Sequence, residues 1–261
     1  MRPLTGMRIV LVLAVLAAAL TDGALAQNVG AVQQVDKKPE YPKTLEMSQQ
    51  QGNVLLIAVI DRQGKLRDIL PIATSNKGFV DAAVAAATLW RFKPATKNGK
   101  PVEIAANIGM RFRLQLPDKR GQIPRPMLGN VDISPADANG RATAPVGFPI
   151  RQGSDPKLLA EALVDVSLNP TARTLPLQVE AWSPGGRRFS VYDTPLFVPA
   201  NSTELKVPVA VPIKPEWEDG VWMLRFFVAD ADAGGGQFWL AKEPSTFDFA
   251  SKMPKPPKLP N

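Results

Sequence analysis

The most regular pattern in the chain is an alternation of apolar and polar positions over residues 102–116. Every second residue from Val102 to Leu116 is apolar, and most residues between them are polar, charged or glycine. Neighbouring side chains of a strand point to opposite faces, so the pattern predicts a long strand with one buried and one solvent-facing side. Residues 53–60 are mostly apolar at both odd- and even-numbered positions. This is typical of a strand covered on both faces or of a buried helical turn.

The segments around these two predicted strands indicate a hairpin and two helices. A turn sequence at 61–64 follows the first strand and predicts a hairpin that continues into residues 65–73. Apolar residues then recur at helical spacing from Phe79 to Trp90, behind a capping Ser75 or Asn76. With a short helix at about 43–50, the order predicts an α+β domain, in which a small antiparallel sheet carries helices on one face.

The aromatic residues of the stretch 89–101 allow two interpretations. Trp90, Arg91 and Phe92 form either an exposed site that grips a ligand or a junction that anchors the helix to the sheet. We favour the second for Trp90 and Phe92, because Trp90 ends the apolar face of the helix and Phe92 points back to the sheet. Arg91, between them, is then expected to point to solvent.

The second half of the chain has the pattern of an all-β domain. Residues 118–155 are rich in Pro, Gly, Asp and Asn and predict a linker with room for a short strand. Short strand-like segments separated by turns follow, at 175–182, 187–198, 203–213, 221–230, 237–242 and 246–249. Six or seven such strands predict an immunoglobulin-like β-sandwich over residues 156–250. The Pro- and Lys-rich end, 251–261, predicts a disordered tail.

The first 26 residues predict a cleaved signal peptide. Arg2 and Arg8 precede the apolar run Ile9–Leu20, and Ala24-Leu25-Ala26 supplies an A-x-A cleavage site. The run is shorter than the roughly 20 apolar residues that span a bilayer. We therefore expect an exported protein without a membrane anchor in the mature chain, in which residues 27–36 link the signal peptide to the first domain.

Composition excludes most familiar catalytic designs. The chain has no Cys and no His, which excludes disulfides, thiolate nucleophiles, Ser-His-Asp triads and His-ligated metals. We expect no enzyme, no cofactor and no metal site, with a carboxylate-based glycosidase as the remaining enzymatic alternative. Residues 27–117 carry a net charge of +6 and residues 118–261 a net charge of zero. The excess of positive charge indicates either an ordinary solvated surface or a surface that attracts an acidic partner or membrane headgroups. Export argues against nucleic acid as the partner.

A series of short motifs in the first half resembles a known family. Tyr41-Pro42, the DRQGKL hairpin at 61–66, WRFKPA at 90–95, NGKPV at 98–102 and Met110-Arg111-Phe112 follow one another in order. Their order and spacing resemble the C-terminal domain of TonB over residues 37–117, about a third of the chain. The resemblance adds structural anchors to the aromatic residues already named, and the full set is Tyr41, Pro42, Phe79, Trp90, Phe92, Pro94 and Phe112.

The resemblance implies a periplasmic protein of a Gram-negative envelope that binds an extended segment of an outer-membrane transporter. Such a segment pairs with the last strand of the domain by β-augmentation, and the equivalent strand here is Val102–Leu116. Its outward residues, which are the predicted partner-binding residues, are Asn107, Gly109, Arg111 and Arg113. A bare Gly109 permits close backbone approach or marks a bulge. Arg111 and Arg113 act either in binding or as protection of a free edge against aggregation.

The sequence departs from an energy-transducing TonB in two features. The apolar N-terminal segment is short and cleavable, and only 14 residues separate Ala26 from Tyr41, too few for a rod that spans the periplasm. We therefore expect a non-enzymatic strand-binding protein with a link to TonB-dependent transport, rather than a force transducer. The alternative is a structural scaffold or a homodimer without an energy-transducing role.

Overall fold

The computed structural model describes residues 28–114, 125–166 and 170–242. The predicted signal peptide (1–26), the strand predicted at 246–249 and the predicted tail (251–261) lie outside these ranges. Within the described ranges, no helix has the length and apolar character needed to cross a bilayer.

The first unit, residues 28–114, is built on a three-stranded antiparallel sheet. Its elements in chain order are β1 (Asn28–Val29), β2 (Val32–Val35), α1 (Lys43–Met47), β3 (Gly52–Ile60), β4 (Leu66–Thr74), α2 (Val80–Thr88), β5 (Arg91–Lys93), β6 (Ala95–Lys97), β7 (Lys100–Val102) and β8 (Ile104–Phe112). The sheet has the order β4–β3–β8, with β3 in the middle. The predicted order of short helix, hairpin, helix and long strand is present.

One face of this sheet packs against α2. Val54 and Leu56 of β3 share a core with Phe79, Ala83 and Ala87. The small alanine side chains let the helix approach the sheet closely, so a helix of nine residues buries enough surface to be held in place.

The segment predicted as a linker, 27–36, carries two short strands. β1 pairs with β6 and β2 pairs with β5, both antiparallel. The sequence Val32-Gln33-Gln34-Val35 lacks an apolar pattern long enough to be recognised as a strand. It becomes extended because it borders the β5 strand of the folded unit.

The second unit consists of two larger sheets that face each other and a separate two-stranded pair. Its strands are β9 (Met127–Ala136), β10 (Ile150–Arg151), β11 (Lys157–Asp165), β12 (Arg173–Leu175), β13 (Leu177–Trp182), β14 (Arg188–Asp193), β15 (Leu196–Val198), β16 (Glu204–Pro212), β17 (Gly220–Val228) and β18 (Ala231–Ala241). One sheet has the order β16–β11–β9, and the other has the order β10–β18–β17–β13–β14. Alternate side chains of both sheets, such as Ala160, Val209 and Leu224, meet in one core.

The prediction of a linker over 118–155 is wrong for most of its described part. β9 is a ten-residue strand that pairs with β11 over its whole length. Gly129 and Pro135 interrupt its apolar pattern and imitate the composition of a loop. Pro135 is tolerated because β9 lies at the edge of its sheet.

The core of the second unit extends onto one face of the first unit. Leu55 and Ile57, on the face of β3 that points away from α2, belong to the same buried cluster as Val131 of β9 and Ala233 of β18. The predicted strand at 53–60 is therefore covered on both faces, by α2 on one side and by the second unit on the other.

Glycines in β18 allow this close packing. A Cβ at Gly234 would lie 2.4 Å from Leu55 Cδ1, and a Cβ at Gly236 would lie 2.6 Å from Val131 Cγ1 and 2.9 Å from Asn107 Cγ. Real Cβ atoms do not approach other atoms so closely, so a side chain at either position would displace the side chains packed against it.

Candidate functional site at a strand edge

The outer edge of β8 carries backbone groups that point away from the sheet. Asn53 exchanges hydrogen bonds with Ser75 on the β4 side, from its own N–H to Ser75 Oγ (3.0 Å) and from the Ser75 N–H to the Asn53 oxygen (3.0 Å). In the antiparallel ladder, the even-numbered residues of β3 and β8 therefore bond each other. The N–H and C=O groups of Asn107, Gly109 and Arg111 point outward.

One end of this edge is closed by the second unit. The Ala105 N–H donates a hydrogen bond to the Gly147 oxygen at 3.1 Å. Among the described residues, no backbone partner outside the sheet is present for Asn107, Gly109 or Arg111. The edge is therefore open over three outward-facing residues.

A groove with a volume of about 780 Å³ follows this edge. Ile104–Gly109 form its floor, Ala31 and Phe92 belong to one wall, and Asn130 and Asp132 of β9 belong to the other. Because the two walls come from different units, the groove exists only in the assembled chain.

Asn107, predicted to contact a partner, contacts the second unit. Its Nδ2 donates to the Gln237 oxygen (3.1 Å), and the Gln237 N–H donates to Asn107 Oδ1 (2.8 Å). The amide thus satisfies both backbone groups of one residue of β18. Its side chain is not free for an external ligand in this structure.

Gly109 makes the close backbone approach that its sequence position suggests, but the approach is to the same chain. A Cβ at this position would lie 1.7 Å from the Gly129 oxygen. The β3–β8 ladder has no register shift at Gly109, so the residue does not mark a bulge in that pairing.

Arg111 and Arg113 form ion pairs with the second unit. Arg113 Nη2 lies 2.7 Å from Asp165 Oδ2, and Arg111 Nη1 lies 3.5 Å from Asp165 Oδ1 and also pairs with Glu204. Burial lowers the pKa of Arg113, and the attraction of Asp165 opposes this effect. Asn53 Nδ2 also donates to Asp165 (2.6 Å). The face predicted to be wet is thus an interface, and it is the backbone edge that stays open.

Three of the predicted structural anchors form one aromatic cluster. Phe79 and Phe112 stack at 4.4 Å between ring centroids, and Tyr41 meets them edge-on at 5.6 Å and 5.7 Å. The Tyr41 hydroxyl donates to the Gln50 oxygen. Pro42 precedes α1, and its oxygen accepts hydrogen bonds from the first turn of that helix.

Two of the remaining anchors, Trp90 and Phe92, line the groove. Trp90 and Phe92 are 6.5 Å apart, and the Trp90 indole N–H donates to the Lys37 oxygen (2.9 Å). Pro94 separates β5 from β6. Arg91 is half-buried and donates to the Thr88 and Trp90 oxygens at the end of α2. The expectation that Arg91 points to solvent is met only in part, because its guanidinium also bonds to the end of α2.

Comparison with known proteins bears on the first unit. The sequence profile of the family described as Gram-negative bacterial TonB protein C-terminal matches residues 37–114. Residues 37–114 are a TonB C-terminal domain. The solution NMR structure of the Pseudomonas aeruginosa TonB CTD matches with 22% identity, covers 37% of this chain and 93% of that chain, and has a TM-score of 0.31. No curated protein matches the chain.

The TonB C-terminal domain supplies the edge, and the second unit supplies residues that the sequence did not single out. Asn130 Nδ2 donates to Asp132 Oδ1 at 3.1 Å. Burial raises the pKa of Asp132, the hydrogen bond from Asn130 lowers it, and the charge of Glu161 raises it. The alternation Asn130, Val131, Asp132, Ile133 carried the signal for a strand with a polar outer face, but it lay within the predicted linker.

In the described ranges, no group of three or more acidic or other metal-binding side chains is arranged to hold a metal ion.

Proposed function

We propose that this protein is a non-enzymatic periplasmic protein that binds an extended segment of another envelope protein by strand addition to the outer edge of β8. The TonB C-terminal domain supports a TonB-like protein linked to outer-membrane transport. The segment that fits this setting best comes from a TonB-dependent outer-membrane transporter. The observation that carries the proposal is the open edge at Asn107, Gly109 and Arg111 within the groove.

The groove has the size and the chemistry for such a ligand. Its volume of about 780 Å³ falls within the range of roughly 300–1,000 Å³ that is usual for small-molecule sites, which leaves room for a short extended segment. Each of the three outward-facing residues offers one donor and one acceptor. A bound strand satisfies them in the way that a neighbouring strand does in a sheet, with about 0.5–1.5 kcal/mol of net stabilisation for each hydrogen bond.

For the second unit we propose an immunoglobulin-like sandwich. The strand order supports it: β9, β11 and β16 face β13, β17 and β18, and the short β10 pairs in parallel with β18 at the edge of the second sheet. Fold alone does not give this unit a function. Its role in the proposal is positional, because it covers one face of the TonB C-terminal domain and builds one wall of the groove.

The proposal is tested by photo-crosslinking in the native host. Val146 lines the groove and is 41% exposed, so a photo-reactive residue at this position probes the site without disturbing the core. Phe197 on β15 is 62% exposed and does not line the groove, and it provides the matched control. We expect position 146, but not position 197, to crosslink to a periplasmic segment of an outer-membrane transporter.

Two outcomes contradict the proposal. A crosslink from position 146 only to a second copy of the chain means that dimerisation closes the edge, and the scaffold alternative then replaces the transport role. The same set of crosslinked proteins from positions 146 and 197 means that the groove has no selective ligand.

A further inference from the structure

The two walls of the groove differ in chemistry. A strand added to β8 places alternate side chains on opposite faces of the extended sheet. One face meets apolar groups, including Ala31, Phe92 and Ile108. The other face meets β9 of the second unit, where Asn130 and Asp132 line the groove.

Asn130 has an acceptor that the described structure leaves unused. Its Oδ1 atom is buried and has no hydrogen-bond partner among the described residues, whereas its Nδ2 donates to Asp132. Buried polar atoms are nearly always paired in folded proteins, so this acceptor is available to a ligand donor once the amide turns toward the groove.

Asp132 has a carboxylate without a cation. In the described part of the chain it forms no ion pair, and Glu161 of β11 stands opposite it in the ladder. Arg111, the cation that lines the same groove, is already paired with Asp165 and Glu204. Burial raises the pKa of Asp132, as expected for a carboxylate that lacks a counter-charge.

These observations point to one kind of ligand side chain. We infer that the groove selects an extended segment that carries a Lys or Arg facing Asn130 and Asp132, with apolar residues on either side of it facing the Phe92 wall. The inference rests on the strand addition proposed above and names the chemistry of the bound segment. A cationic side chain supplies the donor for Asn130 Oδ1 and the charge for Asp132 in one contact.

The test is selection of nonapeptides from a random displayed library against the full chain. The wild-type protein is expected to select peptides with Lys or Arg at one fixed position between two apolar residues. Affinity for a selected peptide is expected to fall about tenfold when that Lys is replaced by Gln or when the protein carries Asp132→Asn. The two changes together are expected to cost little more than either alone.

The control variant is Asp193→Asn, which removes the same charge from an exposed position on β14 and is expected to leave affinity unchanged. Asp132→Asn keeps the shape of the side chain and an oxygen acceptor for Asn130, so a loss of affinity does not report unfolding. Selected peptides without a preference for Lys or Arg, or a preference that persists in Asp132→Asn, overturn the inference but leave strand addition intact.

A second variant separates this outcome from failure of the proposed function. The chain has no cysteine, so Val146→Cys reacts at one place only, and a bulky maleimide on it blocks the groove. Peptides that still bind the blocked protein bind elsewhere, and the proposed function fails together with the inference. Failure to select any peptide has the same meaning. A matching block at Phe197→Cys is expected to leave binding unchanged.

Discussion

Gly109 of the TonB C-terminal domain lies in direct backbone contact with Gly129 of the second unit. A Cβ at position 109 would be 1.7 Å from the Gly129 oxygen and 2.7 Å from its carbonyl carbon. The obstacle is backbone, which cannot rotate away as a side chain does. This contact fixes the separation of β8 and β9, and with it the width of the groove between them.

Replacement Gly109→Ala is therefore expected to destabilise the whole chain. Overpacking of this kind costs about 1–3 kcal/mol in the free energy of unfolding, measured by urea denaturation. Gly185→Ala is the matched control, because the nearest atom to its added Cβ is the movable Glu218 carboxylate at 3.2 Å. Equal stability of the two variants would mean that the units are not in this contact in solution.

The ion pairs at Asp165 are expected to hold the two units together. Asp165→Ala removes the carboxylate that pairs with Arg113 and accepts a hydrogen bond from Asn53. We expect a loss of about 1–3 kcal/mol. This lies below the roughly 3–5 kcal/mol for a fully buried pair, because the Arg113 side chain is 35% exposed. Urea denaturation measures this loss.

The control for Asp165 is an exposed pair elsewhere in the second unit. Arg187 and Glu218 are 3.8 Å apart, with side chains 63% and 43% exposed, and Glu218→Ala is expected to cost less than about 1 kcal/mol. A cost for Asp165→Ala no larger than this would show that the cluster contributes nothing to the interface.

Hydrogen exchange along β8 is expected to alternate. The amides of Ala106, Ile108 and Met110 bond to β3 and should exchange slowly, whereas those of Asn107, Gly109 and Arg111 point into the groove and should exchange faster. Ala105 should be protected, because its N–H donates to Gly147. NMR-detected exchange measures each amide separately. Slow exchange at all of these positions, at low protein concentration, would contradict an open edge.

The stability of the protein is expected to depend on pH through Asp132. The pKa of this carboxyl is raised in the folded state, so the folded state holds its proton more tightly than the unfolded chain does. Stability from this group therefore falls as pH rises from the ordinary carboxyl range of about 4 through the raised value. Asp132→Asn should be more stable than the wild type at neutral pH, and the difference should disappear in acid. Urea denaturation at several pH values, with Asp193→Asn as control, measures it.

The pattern of apolar and polar positions along the chain predicted the strands of the first unit, but not the segments that cover them. The alternation over 102–116 gave β8 and its buried face, and the apolar run at 53–60 indicated a strand with two covered faces. The cover itself comes from residues such as Val131 and Ala233, far away in sequence. A periodic pattern shows that a face is buried and contains no information about which distant segment buries it.

The sequence predicted the strand that borders the groove, but not what its residues contact. The resemblance to TonB indicated the correct strand, and Asn107, Gly109, Arg111 and Arg113 do lie on one face of it. These residues were expected to meet a partner, yet all of them contact β9, β11, β16 or β18 of the same chain. Asn130 and Asp132 were missed because the proline and glycine around them resemble a linker.

Gly109 has a meaning for the history of the chain. The three atoms nearest to a Cβ at this position all belong to the second unit, and β8 itself would gain stability from an ordinary side chain there. The TonB C-terminal domain therefore carries, in its own sequence, a trace of the domain that follows it. Homologous domains without such a sandwich are expected to have larger residues at this position, and homologues that carry the sandwich are expected to keep it bare.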